Sequence, residues 1–207
     1  MRLVKRIADR VAALILLVLL SPLLAAFALW ILIDGGRPAI LPQDRAGKDG
    51  VPFRMLKFRT MVQNALELAP QLTDDPFGVV ENDPRITKPG RFLRRTGLDE
   101  LPQLWNVLRG QMSLVGPRPD LVEQAAHYSE SDRRRLTVEP GITGWSQVNG
   151  REAIGWPERI EQDIWYIDHW SLGLDLKILW RTFSELGRSG EKPAVDTMNI
   201  ERARARK

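Results

Sequence analysis

Residues 11–33 read VAALILLVLLSPLLAAFALWILI, a run of 23 positions without a charged side chain. As a straight α-helix it would extend about 34 Å, enough to cross a hydrocarbon core of about 30 Å. Ser21-Pro22 lies at its centre and divides it into apolar halves, each about 15 Å long as helix and about half a bilayer deep. Proline removes one backbone donor and crowds the carbonyl four residues earlier, and a neighbouring serine can bond a carbonyl freed in this way. Three readings follow. Ala26-Phe27-Ala28 has the small-x-small form of a signal-peptide cleavage site, but the apolar run continues through Leu29-Trp30-Ile31-Leu32-Ile33 and is too long for an ordinary signal core. A single spanning anchor kinked at Pro22 and a re-entrant hairpin entering and leaving by one face are almost evenly matched on residues alone.

Flanking charge leans toward the hairpin. Arg2, Lys5, Arg6 and Arg10 precede the run, while Arg37, Arg45 and Lys48 follow it, so both ends read as cytoplasmic under the positive-inside rule. The 207-residue chain carries a net charge of +4. The first ten residues and the last seven each contribute +3, which leaves the middle at −2. Basic ends of this kind suit an anionic phospholipid bilayer. Hydrophobic residues at 43% and charged residues at 27% are ordinary globular values and exclude a wholly disordered or collagenous chain. With no cysteine and only His127 and His169, thiolate and histidine-rich metal centres are excluded, so any metal is a hard cation held by carboxylates. The histidines have no partner at motif spacing and read as structural or exposed.

The remainder predicts a mainly α chain with a small β element. Its expected divisions are a basic N-terminus with the membrane segment (1–36), a catalytic domain (37–190) and a flexible basic tail (191–207). Asp34-Gly35-Gly36-Arg37-Pro38 closes the membrane segment with turn residues. Pro52 to Met61 predicts a short strand leading into a helix near 62–68, and 69–89 is loop-like. Leu98, Leu101, Leu104, Trp105 and Leu108 predict one helix over 98–108, stopped by Gly110. Short helices are expected at 121–128 and 130–136, an ordered loop at 140–151, and longer helices at 156–170 and 174–186. Trp156, Trp165, Tyr166, Trp170 and Trp180, with Trp30, fit either an aromatic belt at headgroup depth or core aromatics. Lys177, Arg181 and Arg188 favour a basic amphipathic surface on lipid.

Chemistry concentrates between Asn82 and Pro119. Asp99-Glu100 falls at the start of the expected 98–108 helix, an end whose dipole and open amides favour anions. Arg91, Arg94, Arg95, Arg109 and Arg118 surround it in sequence. Carboxylates among guanidiniums suit phosphate chemistry with a divalent cation, and a lowered carboxylate pKa would keep Asp99 ionised and able to attack phosphorus. Acidic residues at helix starts also serve simply as helix stabilisers, contributing about 0.3–1 kcal/mol. In Gly116-Pro117-Arg118-Pro119, the two prolines fix the backbone around Arg118, which limits the entropy lost when its guanidinium grips a phosphate or base. Lys57 and Arg59 read as phosphate contacts or as a solvated strand face. The loop holding Trp145, Gln147 and Asn149 reads as a nucleotide or sugar contact or as structural.

Together these motifs resemble the monotopic phosphoglycosyl transferases, the bacterial sugar transferase family that starts polysaccharide and glycoconjugate assembly. The likeness runs through Ser21-Pro22, Lys57-Phe58-Arg59-Thr60-Met61, Asn82-Asp83-Pro84-Arg85-Ile86-Thr87, Leu98-Asp99-Glu100-Leu101-Pro102-Gln103-Leu104, Asn106-Val107-Leu108, Met112 to Pro119, Pro140 to Trp145 and Asp175-Leu176-Lys177-Ile178. It covers almost the whole chain. The resemblance implies a re-entrant helix broken at Ser21-Pro22 and an active site at the cytoplasmic face of the bacterial inner membrane. It implies transfer of a sugar-1-phosphate from a nucleotide diphosphate sugar, usually a UDP-sugar, to undecaprenyl phosphate, with Mg2+ required and UMP released. Asp99 then takes the role of nucleophile in a phosphosugar-enzyme intermediate, and Glu100 places the metal or activates the lipid phosphate. Arg118 is expected at the nucleotide or phosphate, with Lys57, Arg59 and Arg95 as further phosphate contacts. Gly97 departs from the pattern, which often has serine or threonine there. The resemblance is to the minimal catalytic form, without the multi-spanning amino-terminal domain of larger relatives.

Other classes remain in view. A membrane-attached scaffold or lipid-binding module would share the basic ends and tryptophans, and an exported domain would share the apolar start. A homo-oligomer is compatible with the sequence. Nucleic-acid binding is not expected, because the basic residues do not form one stripe.

Overall fold

The computed structural model describes residues 3–65, 67–68, 83–150 and 154–186. The expected tail, Arg188, Arg151, Asn82 and most of the 69–89 loop lie outside the described residues.

Helix α1 spans Leu3–Gly35 and contains Pro22. It continues through Ser21-Pro22, where Ser21 Oγ donates to the Val18 carbonyl at 2.8 Å, as expected of a serine beside a helical proline. At 33 residues it is long and apolar enough to cross a membrane. Its surroundings separate its two sides. Ala13, with Leu16, Leu17 and Leu20, packs into a cluster of Phe53, Met55, Leu104, Val107 and Met112. Further along, Phe27 and Ile31, with Leu24 and Ala28, pack into a second cluster with Phe58 and Leu93. Both halves of α1 therefore lie against one body. Its other side exposes Leu3, Val4, Ile7, Val11, Leu14, Ile15, Val18, Leu19, Leu29 and Ile33. A helix apolar on every side needs burial in protein or lipid, and protein covers only one side here.

After α1, strand β1 (Ile40–Ala46) pairs antiparallel with β2 (Pro52–Phe58), in a register that sets Ile40 opposite Phe58 and Ala46 opposite Pro52. The period of two sends Phe53 and Met55 into the core and leaves Arg54 exposed. Helix α2 (Lys88–Thr96) is capped by Thr87, whose hydroxyl accepts from the Gly90 amide, and has proline in its first turn. A 3-10 turn over Leu98–Glu100 leads into α3 (Gln103–Leu108). Beyond these, β3 (Ser113–Val115) pairs in parallel with β4 (Gly141–Thr143). Between those strands lie α4 (Val122–Ala126) and a 3-10 helix over Asp132–Thr137. The fold closes with α5 (Trp145–Val148), α6 (Trp156–Asp168) and α7 (Leu172–Leu186).

A buried polar knot ties the start of α1 to the far end of the chain. Lys5, only 2% exposed, donates to Asp175 at 2.7 Å and lies 3.2 Å from Asp9. Asp175 also accepts from Tyr166 Oη at 2.6 Å and Trp170 Nε1 at 3.1 Å, and Asp9 accepts from Ser113 Oγ at 2.6 Å. Removing one partner from a buried pair of this kind generally costs about 3–5 kcal/mol, because the other charge stays behind in low dielectric. Helix α1 is thus bonded into the rest of the fold by its own buried side chains.

Several expectations change. The single helix over 98–108 is two elements, a 3-10 turn over Leu98–Glu100 and α3 over Gln103–Leu108, and Gly97, at φ +72°, turns the chain between α2 and the 3-10 turn. That φ strains a side chain, so glycine suits the position. Gly97 also ends α2, its amide bonding back to the Arg94 carbonyl. The 140–151 loop contains a strand and a short helix. Tyr166 and Trp156 are core residues, whereas Trp180 and Trp165 are exposed. On α7, Leu172, Leu176, Trp180 and Phe183 form an exposed apolar stripe at helical spacing.

Candidate active site

The 3-10 turn after α2 carries Asp99 and Glu100 as neighbours with different surroundings. Asp99 is buried, 6% exposed. Glu100 is half-buried and faces cations from two other segments. Lys57, on the core-facing side of β2 at the end of the strand, donates to Glu100 Oε1 at 3.1 Å. Arg118 makes a forked contact, Nη2 to Oε1 at 2.8 Å and Nη1 to Oε2 at 3.3 Å. Such planar pairing fixes direction as well as charge. The turn is thus a meeting point of β2, the Asp99-Glu100 segment and the proline-flanked loop after β3.

The loop that presents Arg118 is held along its backbone. The Gly116 amide donates to the Thr143 carbonyl at 2.9 Å, and the Pro117 carbonyl accepts from the Gly141 amide at 2.8 Å. The Arg118 carbonyl accepts from Arg135 Nη2 at 2.7 Å, the Pro119 carbonyl from Arg45 Nη1 at 3.4 Å, and the Asp120 carbonyl from the Ala46 amide at 3.0 Å. Side chains have no room at the glycines: a Cβ on Gly141 would lie 2.1 Å from the Gly116 amide nitrogen. Close backbone approach is the reason for glycine at 116 and 141.

Electrostatics follow from burial and crowding of cations. Burial pushes the Lys57 ammonium below the usual lysine range, Glu100 opposes the shift, and Arg118 adds to it. Arg45 is lowered to about 10, by burial first and by the nearby Arg118 second. Burial works against ionisation of Asp120, but Arg135 and the donors Tyr128 and Trp156 hold its carboxyl below the ordinary range. Lys57, Arg118 and Arg45 therefore gather positive charge around the Asp99-Glu100 turn.

Not every expected site residue joins this group. Asp99, Glu100, Lys57 and Arg118 come together, with Pro117 and Pro119 buried on either side of the arginine. Arg59 instead sits at the end of α1, donating to the Arg37 carbonyl at 2.6 Å and the Gly35 carbonyl at 3.4 Å, where a cation complements the helix dipole. Arg95 is exposed on α2. Gln147 turns into its own loop, donating to the Ile142 carbonyl at 3.3 Å. His127 is half-buried beside α4, and His169 is exposed and stacked on Trp165. Sequence reasoning missed Arg45 as a neighbour of Arg118, because only the long-range bridge from Arg45 to Leu121 brings it there. It also missed Arg135, whose partners Asp120, Asp163 and the Arg118 carbonyl all lie 15 or more residues away in the sequence.

Among the described residues no group of three or more His, Cys, Asp or Glu could cage a metal. Mg2+ does not need such a cage. It keeps several waters and is held by one or two carboxylates together with substrate phosphates, so the hard oxygens of Asp99 and Glu100 fit it.

Two carboxylates set against crowded cations form a site for a multiply charged anion such as a phosphate ester. In comparison with known proteins, the sequence pattern of bacterial sugar transferases matches residues 1–189, and the chain belongs to that family. It is 44% identical over 178 residues to the uncharacterized sugar transferase EpsL of Bacillus subtilis, covering 86% of this chain and 84% of that protein. It is 42% identical over 190 residues to the undecaprenyl-phosphate galactose phosphotransferase of Salmonella typhimurium. Against the UDP-glucose:undecaprenyl-phosphate glucose-1-phosphate transferase of Escherichia coli, identity is 44% over 190 residues. Those two alignments cover 87% of this chain but only 40% and 39% of the relatives, so the chain spans less than half the length of either.

Proposed function

We propose that this protein transfers a sugar-1-phosphate from a UDP-sugar to undecaprenyl phosphate through a covalent intermediate on Asp99. The observation that carries the reading is the buried Asp99 beside a Glu100 gripped by Arg118 and Lys57. In the first displacement an Asp99 oxygen attacks the sugar-bearing phosphorus. The bridging P–O bond breaks, and its electron pair leaves on UMP. In the second, an oxygen of undecaprenyl phosphate attacks the same phosphorus, and the Asp99 carboxylate departs intact. One pocket then serves donor and acceptor in turn, giving ping-pong kinetics. Arg118, Lys57 and Arg45 offset the charge of the pyrophosphate. Mg2+, held by Asp99 or Glu100, would supply charge neutralisation on the phosphate oxygens.

The setting is the cytoplasmic face of the bacterial inner membrane. In this reading α1 bends at Pro22, where a helix lacks one backbone bond, and returns to the face it entered. Support comes from the packing of both halves of α1 against the same body and from the Lys5–Asp175 pair at its start. The apolar stripe of α7 lies on the lipid surface, with Lys177 and Arg181 at headgroup depth. Single cysteines at Leu3, which is exposed beside the buried Lys5, and at Lys48 test this in a chain with no native thiol. Both are expected to label only from the cytoplasmic side, and labelling from opposite sides restores a spanning anchor.

The reaction is tested by incubating purified protein with Mg2+, a panel of UDP-sugars and undecaprenyl phosphate. One donor is expected to give equimolar UMP and lipid-linked sugar diphosphate. Binding of vesicles with no nucleotide product from any donor would instead support the scaffold reading, which the basic ends and exposed tryptophans motivate.

A further inference from the structure

We infer that Arg135 is a positioning residue for the transfer, acting through the backbone of Arg118; the inference rests on the transferase reading above. Arg135 is 2% exposed and lies on the 3-10 helix between α4 and β4. Its guanidinium is fully spanned. Nε donates to Asp163 Oδ2 at 2.7 Å, and Nη1 donates to Asp120 Oδ2 and to Tyr128 Oη, the latter at 2.6 Å. The remaining nitrogen, Nη2, donates to the Arg118 carbonyl at 2.7 Å. Neighbouring groups complete the frame: Asp163 Oδ1 accepts from Ser146 Oγ at 2.7 Å, and Asp120 Oδ2 accepts from Tyr128 Oη at 2.6 Å and Trp156 Nε1 at 3.1 Å.

This is more than a core ion pair. A buried arginine satisfied only for stability needs its carboxylates, and here those occupy Nε and Nη1. The third nitrogen reaches outward to the one peptide whose side chain forks onto Glu100. The neighbouring carbonyls are held by the β4 amide of Gly141 and by Arg45, so Arg135 closes the gap between them. The planar fork of arginine sets this geometry, and lysine, a single point charge, cannot span the same partners. The chain of contacts runs from α6 through Asp163 and Arg135 to Arg118 and Glu100. It fixes the angle at which Arg118 meets a phosphate, and misplacement of about 1 Å there costs about a hundredfold in rate.

The experiment is a double-mutant cycle on kcat/KM for UMP release, using the full chain in lipid. Arg135→Lys is expected to lower kcat/KM between about 10-fold and 100-fold in the wild-type background. In an Arg118→Ala background the same substitution should change it less than about twofold, because no guanidinium is left to aim. Equal losses in both backgrounds would show that Arg135 acts through general folding, and would overturn the inference. If Arg135→Lys fails to fold by circular dichroism, Tyr128→Phe carries the same cycle, since it keeps the guanidinium and removes one of its anchors. The same pattern is expected with a smaller loss, and equal losses again overturn it. A wild-type protein that releases no UMP defeats the transferase reading itself, a separate result.

Discussion

Asp99→Asn protein is expected to bind the nucleotide-sugar donor but to release no UMP, a loss of about 10^4-fold or more in kcat. The substitution keeps the size of a side chain that is 6% exposed and removes its charge and nucleophilicity. Folding should survive, because Gly97 and the 3-10 turn hold the segment through backbone geometry. A modest loss, with kcat within about tenfold of wild type, would assign the attack on phosphorus to another group. Retained donor binding separates a chemical role from a structural one: an Asp99 that mattered only for packing would lose both together.

Arg118→Ala should cost about 100-fold to 1,000-fold in kcat/KM, second only to the loss at Asp99, as for other groups placed to stabilise developing charge. Two effects combine. The forked pairing at 2.8 and 3.3 Å to Glu100 disappears, while the Lys57 contact at 3.1 Å stays. The pyrophosphate also loses a planar donor that lysine does not reproduce. Steady-state kinetics against UDP-sugar concentration checks this. A change confined to KM would mean that Arg118 binds ground state and transition state equally and does not contribute to the displacement.

Much of the site was legible because its pieces are local and chemically conspicuous. Asp99-Glu100 and the paired prolines around Arg118 stand out at sequence level, and both meet in space. The gaps have a common physical origin in pairings distant along the chain. Strand β1 ends in Ala46 after a proline and charged residues, a poor strand signal, and is made a strand by its register with β2. Arg45 consequently read only as a charge flanking the apolar run, and nothing local singled out Arg135. Arg59 read as a phosphate contact or a solvated strand face, and in the structure it bonds the Gly35 and Arg37 carbonyls at the end of α1. The 98–108 segment has helical spacing throughout, so periodicity alone could not reveal the break. Pro102, just ahead of α3, was the local signal. The apolar run was plain from composition, but the side of α1 that protein covers follows only from where Phe53, Met55, Phe58 and Leu93 come to lie.

The central claim is a sugar phosphate carried on one carboxylate, and mass spectrometry tests it most directly. Wild-type protein mixed with its UDP-sugar and Mg2+, without lipid acceptor, is quenched in acid and digested. The peptide containing Asp99 should carry the added mass of a sugar phosphate, which disappears when undecaprenyl phosphate is added before the quench. Unmodified Asp99 peptide from protein that is visibly turning over would contradict the account.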